Sequence, residues 1–341
     1  MSKQTKQEIK KVLISRTDSI GDVMLTLPMC GWIKENLQVE IYFLGKSYTK
    51  AVIDSYEGID HFIDWEAIQQ LPVTERISFF RDLNLDVCFH VFPNKDIATL
   101  MKKAKIPMRI GTSHRSFHLL NCNYKLNFSR KNSNFHESQL NFELLRPLGL
   151  KELPTIEEVI QYTNAFKAPK LELPLAIDFS TKKEWVILHP KSQGSAVEWP
   201  IENYIDLAQK LSESDFGVLF TGTEQEGQSF RSAIPALEGI YDVTGKLTLP
   251  QLIALIDRTD HLLACSTGPL HIAGFLGVHA VGLFSPRRPI HPGRWAAIGP
   301  KVDILVNDEN CLTCKKGKPC TCIQDISVER VRQRIIHANS I

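Results

Sequence analysis

The chain has 341 residues, with 40 Lys plus Arg against 38 Asp plus Glu, a formal net charge of +2 and 43% hydrophobic residues. This length suits about two domains, each with its own core, and excludes a peptide or a mini-protein. The near-neutral balance gives no global field for nucleic acid, and no uncharged apolar run reaches the roughly 18 residues of a membrane-spanning helix, so a cytoplasmic protein with no nucleic-acid partner is expected.

The opening MSKQTKQEIK leads into a strand, not into the apolar core of a signal peptide. That strand, KVLIS at 11–15, is short, apolar and β-branched, and the polar loop RTDSIGD and a helix at 22–36 follow it. Strand-like runs recur at 39–45, 61–65, 85–92 and 108–111, separated by stretches long enough for helices, which predicts a parallel sheet. Over 148–183 the rhythm loosens, with Pro154, Pro169 and Pro174, and the interdomain connection is expected there. It restarts with a strand at 185–189, a helix at 201–212, a strand at 216–221, a helix at 250–257, a strand at 261–265, a helix at 269–276 and a strand at 279–284. The fold class is α/β, with two successive Rossmann-like halves and a last helix at 327–337.

The first loop lies where open parallel sheets hold ligands, beyond the carboxyl ends of the strands. It lacks the three-glycine dinucleotide fingerprint and the Lys of a P-loop, which removes the usual support for hydride transfer and ATP hydrolysis. Asp22, beside Gly21, is either a helix cap or a general base. In the second half Ser266-Thr267-Gly268-Pro269-Leu270-His271 marks a strand-to-helix junction, with free first-turn amides suited to a diphosphate and His271 on the same end; a plain capped helix with a buried His is the other reading. Two neighbouring loops add Lys191, Ser192 and Ser195 for phosphate and Glu224 for ribose hydroxyls. Three such loops on one sheet edge point to a nucleotide site.

Between positions 95 and 131 stand Lys95, Lys102, Lys103, Lys105, Arg109, Arg115, Lys125, Arg130 and Lys131 against the single acid Asp96. This excess suits either a solvated face, an anionic acceptor or an acidic membrane surface. Among eight cysteines, Cys30, Cys88, Cys122 and Cys265 are scattered and read as buried thiols. Cys311, Cys314, Cys320 and Cys322 form C-x2-C-x5-C-x-C, a set able to hold a structural zinc with no open position, or else a reduced cysteine-rich loop.

The segments KVLISRTDSIGDVMLTLP, WVILHPKSQGSAVEWPIENYIDLAQKL and STGPLHIAGFLGVHAVGLFSP together make the chain resemble the heptosyltransferase family of inverting GT-B glycosyltransferases. The resemblance implies two facing Rossmann-like domains with a cleft between them: 1–160 binding the acceptor, 161–325 binding the nucleotide-sugar donor, and a C-terminal helix, 326–341, packing back on the N-terminal domain. It makes Asp22 the catalytic base and gives donor contacts to Glu224, Thr267, Gly268 and His271, to which Lys191, Ser192 and Ser266 are added from their loops. Arg16, Asp18, Lys102, Arg109 and Arg115 are the acceptor-side candidates. The implied activity is metal-independent inverting transfer of a heptose or related sugar, from ADP-heptose or a similar donor, to an anionic glycolipid acceptor such as lipopolysaccharide core, at the inner face of the membrane and without a cofactor. Two positions depart from the family pattern. Val197 stands where a diphosphate-binding Lys is usual and Ser266 where Asp is frequent, so the cation has to come from Lys191 or from Arg287, Arg288, His291 and Arg294 in the loop that also carries Trp295. A GT-B-like sugar-nucleotide epimerase and a degenerate sugar-nucleotide-binding protein are the alternatives.

Overall fold

A computed structural model describes residues 8–130, 133–194 and 196–338; Lys131 and Ser195 lie outside the described residues. The chain divides into two compact units, one ending at Ala165 and one beginning at Phe166. In the first, β1 (Lys11–Ser15), β2 (Glu40–Gly45), β3 (His61–Asp64), β4 (Val87–His90), β5 (Met108–Thr112) and β6 (Tyr124–Leu126) form one parallel sheet in the order β3-β2-β1-β4-β5-β6. The second repeats the plan with β7 (Glu184–His189), β8 (Phe216–Phe220), β9 (Ile240–Asp242), β10 (His261–Cys265), β11 (His279–Phe284) and β12 (Val302–Val306) in the order β12-β11-β10-β7-β8-β9. Each half therefore has the doubly wound 3-2-1-4-5-6 topology, and its strand order reverses between its first and fourth strands.

The central strands are buried on both faces, which is why they read as continuous apolar runs without alternation. Leu13, Leu44, Phe80, Ile97 and Met101 belong to one core layer of the first unit. Val186, Tyr204, Leu207 and Phe220 belong to the core of the second.

The structure adds detail to the sequence reading at both ends of the chain and at the sheet edges. The single helix expected at 22–36 is two, Ile20–Met24 and Leu27–Leu37, because Pro28 has no N–H to continue the first and instead suits the start of the second. The edge strands β6, β9 and β12 are additional; two of them are only three residues long. The C-terminal helix, Val328–Ile336, makes contacts within the second unit. Val331 and Ile335 are buried in the core of the second unit, Trp199 Nε1 donates to the Ile326 carbonyl at 2.9 Å, and Arg332 reaches Ser214 Oγ at 3.0 Å. The apolar stripe of this amphipathic helix completes the layer begun by Ile201–Ser212.

Several histidines are buried in these cores. Burial, with His118 and Arg109 adding to it, lowers the His90 imidazole from its ordinary 6.5 to about 3; burial lowers His189 to about 4 and also lowers His261. These groups stay neutral in the fold but charge in the unfolded chain once the pH drops below about 6.5. They carry no penalty above that value and a growing one as the pH falls toward 4. Thermal melting should show a midpoint flat above about pH 6.5 that declines on acidification, with part of the decline removed in His90→Asn; a midpoint unchanged down to about pH 4 would contradict it.

Candidate functional site

At the switch point of the first sheet, β1 ends in Ser15 and the chain turns through Arg16 to Ser19 into the five-residue helix Ile20–Met24. Ser19 is the N-cap: its Oγ accepts from the Asp22 N–H at 3.5 Å and donates to Asp22 Oδ2 at 2.5 Å. Asp22 is thus the third residue of the helix and not its cap.

The Asp22 carboxylate is held by Arg16, whose Nη2 donates to its Oδ1. The Arg16 side chain is only 3% exposed and also pairs with Asp18 Oδ1 (Nε at 2.7 Å) and Glu137 Oε1 (Nη1 at 3.5 Å). Burial works against its charge, but Asp18, Asp22 and Glu137 outweigh that and raise its pKa. Burial also pushes the Asp18 carboxyl up to about 7, with Arg16 opposing and Asp22 assisting. Tyr48 Oη donates to the Asp18 carbonyl at 2.5 Å and fixes the loop from outside.

Glu137, 1% exposed, opens the helix Glu137–Phe142, whose start is secured by a His136–Gln139 capping box. Arg130 donates to Glu137 Oε1 and, at 3.0 Å, to Asn141 Oδ1. Asn141 Nδ2 returns the connection to the Leu25 carbonyl at 2.9 Å, just beyond the Asp22 helix. Five charged side chains with a formal sum of −1 form one network, in which Arg16 and Glu137 are closed off while Asp18, Asp22 and Arg130 are partly exposed, Asp22 with 19% of its side chain accessible.

The other acceptor-side candidates are placed differently. Lys102 Nζ donates to the Leu120 carbonyl at 2.7 Å, and Arg109 donates to the Asn121 carbonyl at 2.8 Å and to the Ile106 carbonyl. Both secure the end of the helix Ser116–Asn121, where unpaired carbonyls favour cations. Arg115 precedes that helix and is exposed.

In the second unit the loops after β7, β8 and β10 lie at the corresponding edge. Lys191 is tied to Glu198 at 3.0 Å, and Glu198 Oε1 accepts from the Ser192 N–H at 2.9 Å and its hydroxyl at 3.0 Å. Burial would raise the Glu198 pKa, but these bonds lower it. Lys191 and Glu198 line a cavity of about 540 Å³ together with Thr223, Gln225, Glu226 and Ser229. Glu224 heads the next helix and is held by Arg231 through two bonds of 2.8 and 2.9 Å. After β10, Thr267 caps the helix Gly268–Leu276 with its backbone only: its Oγ1 is buried and has no hydrogen-bond partner among the described residues. Pro269 occupies the first turn and His271 is 3% exposed. Ser266 precedes the cap. A buried hydroxyl at a helix start with open amides is the arrangement that an anionic oxygen satisfies.

In the loop after β11, burial together with Arg288 and Arg294 lowers the His291 pKa, and the Arg294 guanidinium lies 4.8 Å from the Trp295 ring. Arg287 is half-buried at the start of this loop. The four cysteine Sγ atoms, Cys311, Cys314, Cys320 and Cys322, all lie within 4.8 Å of one another, with Cys311–Cys320 at 3.4 Å and Cys320–Cys322 at 3.2 Å. Tetrahedral zinc with Zn–S near 2.3 Å needs sulfur atoms about 3.8 Å apart, so the set fits such an ion. The Cys314 backbone and the neighbouring thiols pull Cys311 down to about 6, whereas burial pushes Cys314 up to about 11 and also raises Cys322.

Two doubly wound halves, each a six-stranded parallel sheet, make up the GT-B fold. The chain belongs to glycosyltransferase family 9 (heptosyltransferase), whose family model matches residues 94–323. It is 25% identical over 334 residues, 91% of this chain and 88% of the relative, to the lipopolysaccharide core heptosyltransferase OpsX of Haemophilus influenzae. Its fold is similar to a family 9 glycosyl transferase of Veillonella parvula (TM-score 0.74, 18% identity, 97% of this chain and 98% of that one). It is also similar to ADP-heptose lps heptosyltransferase II of E. coli (TM-score 0.72, 17% identity, 97% and 98%).

Glu137 is the network member that the sequence did not reveal, and it gives a direct test. In Glu137→Gln the Arg16 charge is shared by two carboxylates instead of three, so Asp22 should hold its charge more firmly and, in the role of base proposed below, act more weakly. Transfer kcat should fall about tenfold and the acid limb of the pH–rate profile should move down by roughly half a unit or more, with KM for the donor unchanged. An unmoved profile with only lowered stability would assign Glu137 a purely structural role.

Proposed function

We propose that the chain is a metal-independent inverting glycosyltransferase that moves a heptose or related sugar from ADP-heptose, or a similar nucleotide-diphosphate donor, to an anionic glycolipid acceptor. Lipopolysaccharide core or another envelope glycan at the cytoplasmic face of the membrane is the acceptor that fits best. The name of the OpsX relative and family membership support the substrate class. The observation that carries the chemistry is Asp22, a partly exposed carboxylate oriented by a buried Arg16 at the end of the central strand.

In this reading the first unit, 1–160 in the sequence assignment, binds the acceptor and the second, 161–325, binds the donor. Asp22 accepts the proton of an acceptor hydroxyl while that oxygen forms a bond to the anomeric carbon. The bond from that carbon to the diphosphate oxygen breaks with its electron pair, and attack from the opposite side inverts the configuration. The amides of Gly268 and its neighbours, with Thr267 Oγ1 and His271, receive the diphosphate charge, assisted by Lys191, Ser192 and Ser266. Arg287, Arg288, His291 and Arg294 supply further cationic surroundings in place of the Lys absent at Val197. Glu224 accepts from the ribose hydroxyls once Arg231 shares it. On the acceptor side, Arg115 faces the anionic substrate and Arg16 with Asp18 set the base, whereas Lys102 and Arg109 act through the helix end they secure. No cofactor takes part in the bond exchange.

Incubation with ADP-heptose and a lipopolysaccharide-core acceptor should give a glycosylated product and ADP, and Asp22→Asn should reduce the rate by about 10² to 10⁴ with little change in donor affinity. Near wild-type transfer by Asp22→Asn would overturn the assignment of the base. A rearranged sugar would favour the epimerase, and donor binding without turnover the degenerate binding protein.

The cysteine set would hold a structural zinc, its four thiolates leaving no position for substrate. It would tie the loop after β12 to the start of the last helix, and would supply folding energy to that end of the unit. Protein purified without chelators should contain about one equivalent of zinc, and Cys320→Ser should lose it together with several degrees of melting temperature. Less than about a tenth of an equivalent would leave a reduced cysteine loop as the correct description.

A further inference from the structure

The stretch 97–125 of the first unit combines exposed apolar side chains with charge of a single sign, and the base network makes no use of it. Leu119 and Leu120, at the end of the helix Ser116–Asn121, are 52% and 73% exposed, and Tyr124, opening the edge strand β6, is 41% exposed. The bonds from Lys102 to the Leu120 carbonyl and from Arg109 to the Asn121 carbonyl place cations directly alongside the leucine pair. Lys103, Lys105, Arg115 and Lys125 are exposed in the same stretch. No Asp or Glu occurs between Asp96 and Glu137.

Adjacent exposed leucines are unfavourable in water, and cations without acids repel one another; a surface offering both apolar depth and negative charge relieves the two together. A nucleic acid would answer the charge and leave the leucines wet. A second copy of the chain would bring the same cations against one another, since an isologous contact pairs a patch with itself. We infer that this part of the surface docks on an anionic lipid bilayer, with Leu119 and Leu120 entering the boundary between headgroups and acyl chains while Lys103, Lys105 and Lys125 face the anionic headgroups. Neither signal holds the chain alone: two leucines are a shallow anchor, and a few cations are screened by salt, so binding is reversible and needs both. The inference rests on the proposed function only in naming the membrane as the place where the glycolipid acceptor is met.

The test is co-sedimentation of the full chain with vesicles of phosphatidylcholine containing phosphatidylglycerol and, in parallel, of phosphatidylcholine alone, without substrate. The chain should bind the anionic vesicles and not the neutral ones. Leu119→Ser/Leu120→Ser and Lys103→Glu/Lys125→Glu should each weaken binding at least about tenfold, with circular dichroism and ADP release from ADP-heptose unchanged. Leu120→Ser alone, at the more exposed position, carries the test should the double variant misfold. Equal binding to both vesicle types, or variants that bind like the wild type, would overturn the inference, as would a dimer in sedimentation analysis that the leucine substitutions dissolve. If vesicle binding follows the expected pattern but no transfer occurs, the proposed function fails while the surface stands; transfer to a soluble acceptor without vesicle binding gives the reverse.

Discussion

Everything at the first switch point depends on one buried guanidinium. Moving a charge the size of Arg16 out of water costs several kcal/mol unless partners compensate it, and here three carboxylates do so at once. The arrangement has a consequence for each of them. Asp18 carries the strain of burial, as its elevated carboxyl pKa of about 7 records, Glu137 passes part of the compensation on to Arg130, and Asp22 keeps an ion pair while remaining partly open to solvent. A base needs an orientation and an unprotonated oxygen, and Arg16 supplies the first without removing the second.

The second unit meets an opposite requirement, a place for negative charge, with different parts on the same topology. There the helix Gly268–Leu276 starts without a side-chain cap, and among the described residues the buried Thr267 hydroxyl lacks a partner. Lys191 and Glu224, which the sequence presents as simple ligands, are each already paired, with Glu198 and Arg231. Such pairs keep a charged side chain in position before a ligand arrives, and a ligand that binds must share or exchange that partner. The shared strand order brings the loops after β1 and β7 to equivalent crevices, and under the proposed function the residues placed in them decide whether the crevice favours a proton acceptor or an anion.

How far the sequence could be read depends on the range of the interactions involved. The helix Ile201–Ser212 and the strands β10 and β11 were legible to the residue, since apolar periodicity and turn residues are local signals. β6 and β9 were not, because three residues in a parallel edge strand carry too little pattern. Asp22 was legible as a site residue but ambiguous as a cap until Ser19 was seen in that position. Glu137 was beyond reach: its partner Arg16 lies over a hundred positions away, and only burial identifies the contact. The basic stretch shows the same limit from another side, since Lys102 and Arg109 turn out to serve main-chain carbonyls that no charge count reveals. The partner of the last helix was equally hidden, because an amphipathic stripe specifies a buried face without specifying what covers it.

The central claim, that the fork of Arg16 orients the base, is tested most directly by the pH–rate profile of Arg16→Lys. Lysine keeps the positive charge but cannot bond several carboxylates in one plane. The account predicts a loss of kcat of at least about tenfold with donor KM preserved and the acid limb displaced. An Arg16→Lys enzyme with wild-type kcat and an unchanged profile would contradict it.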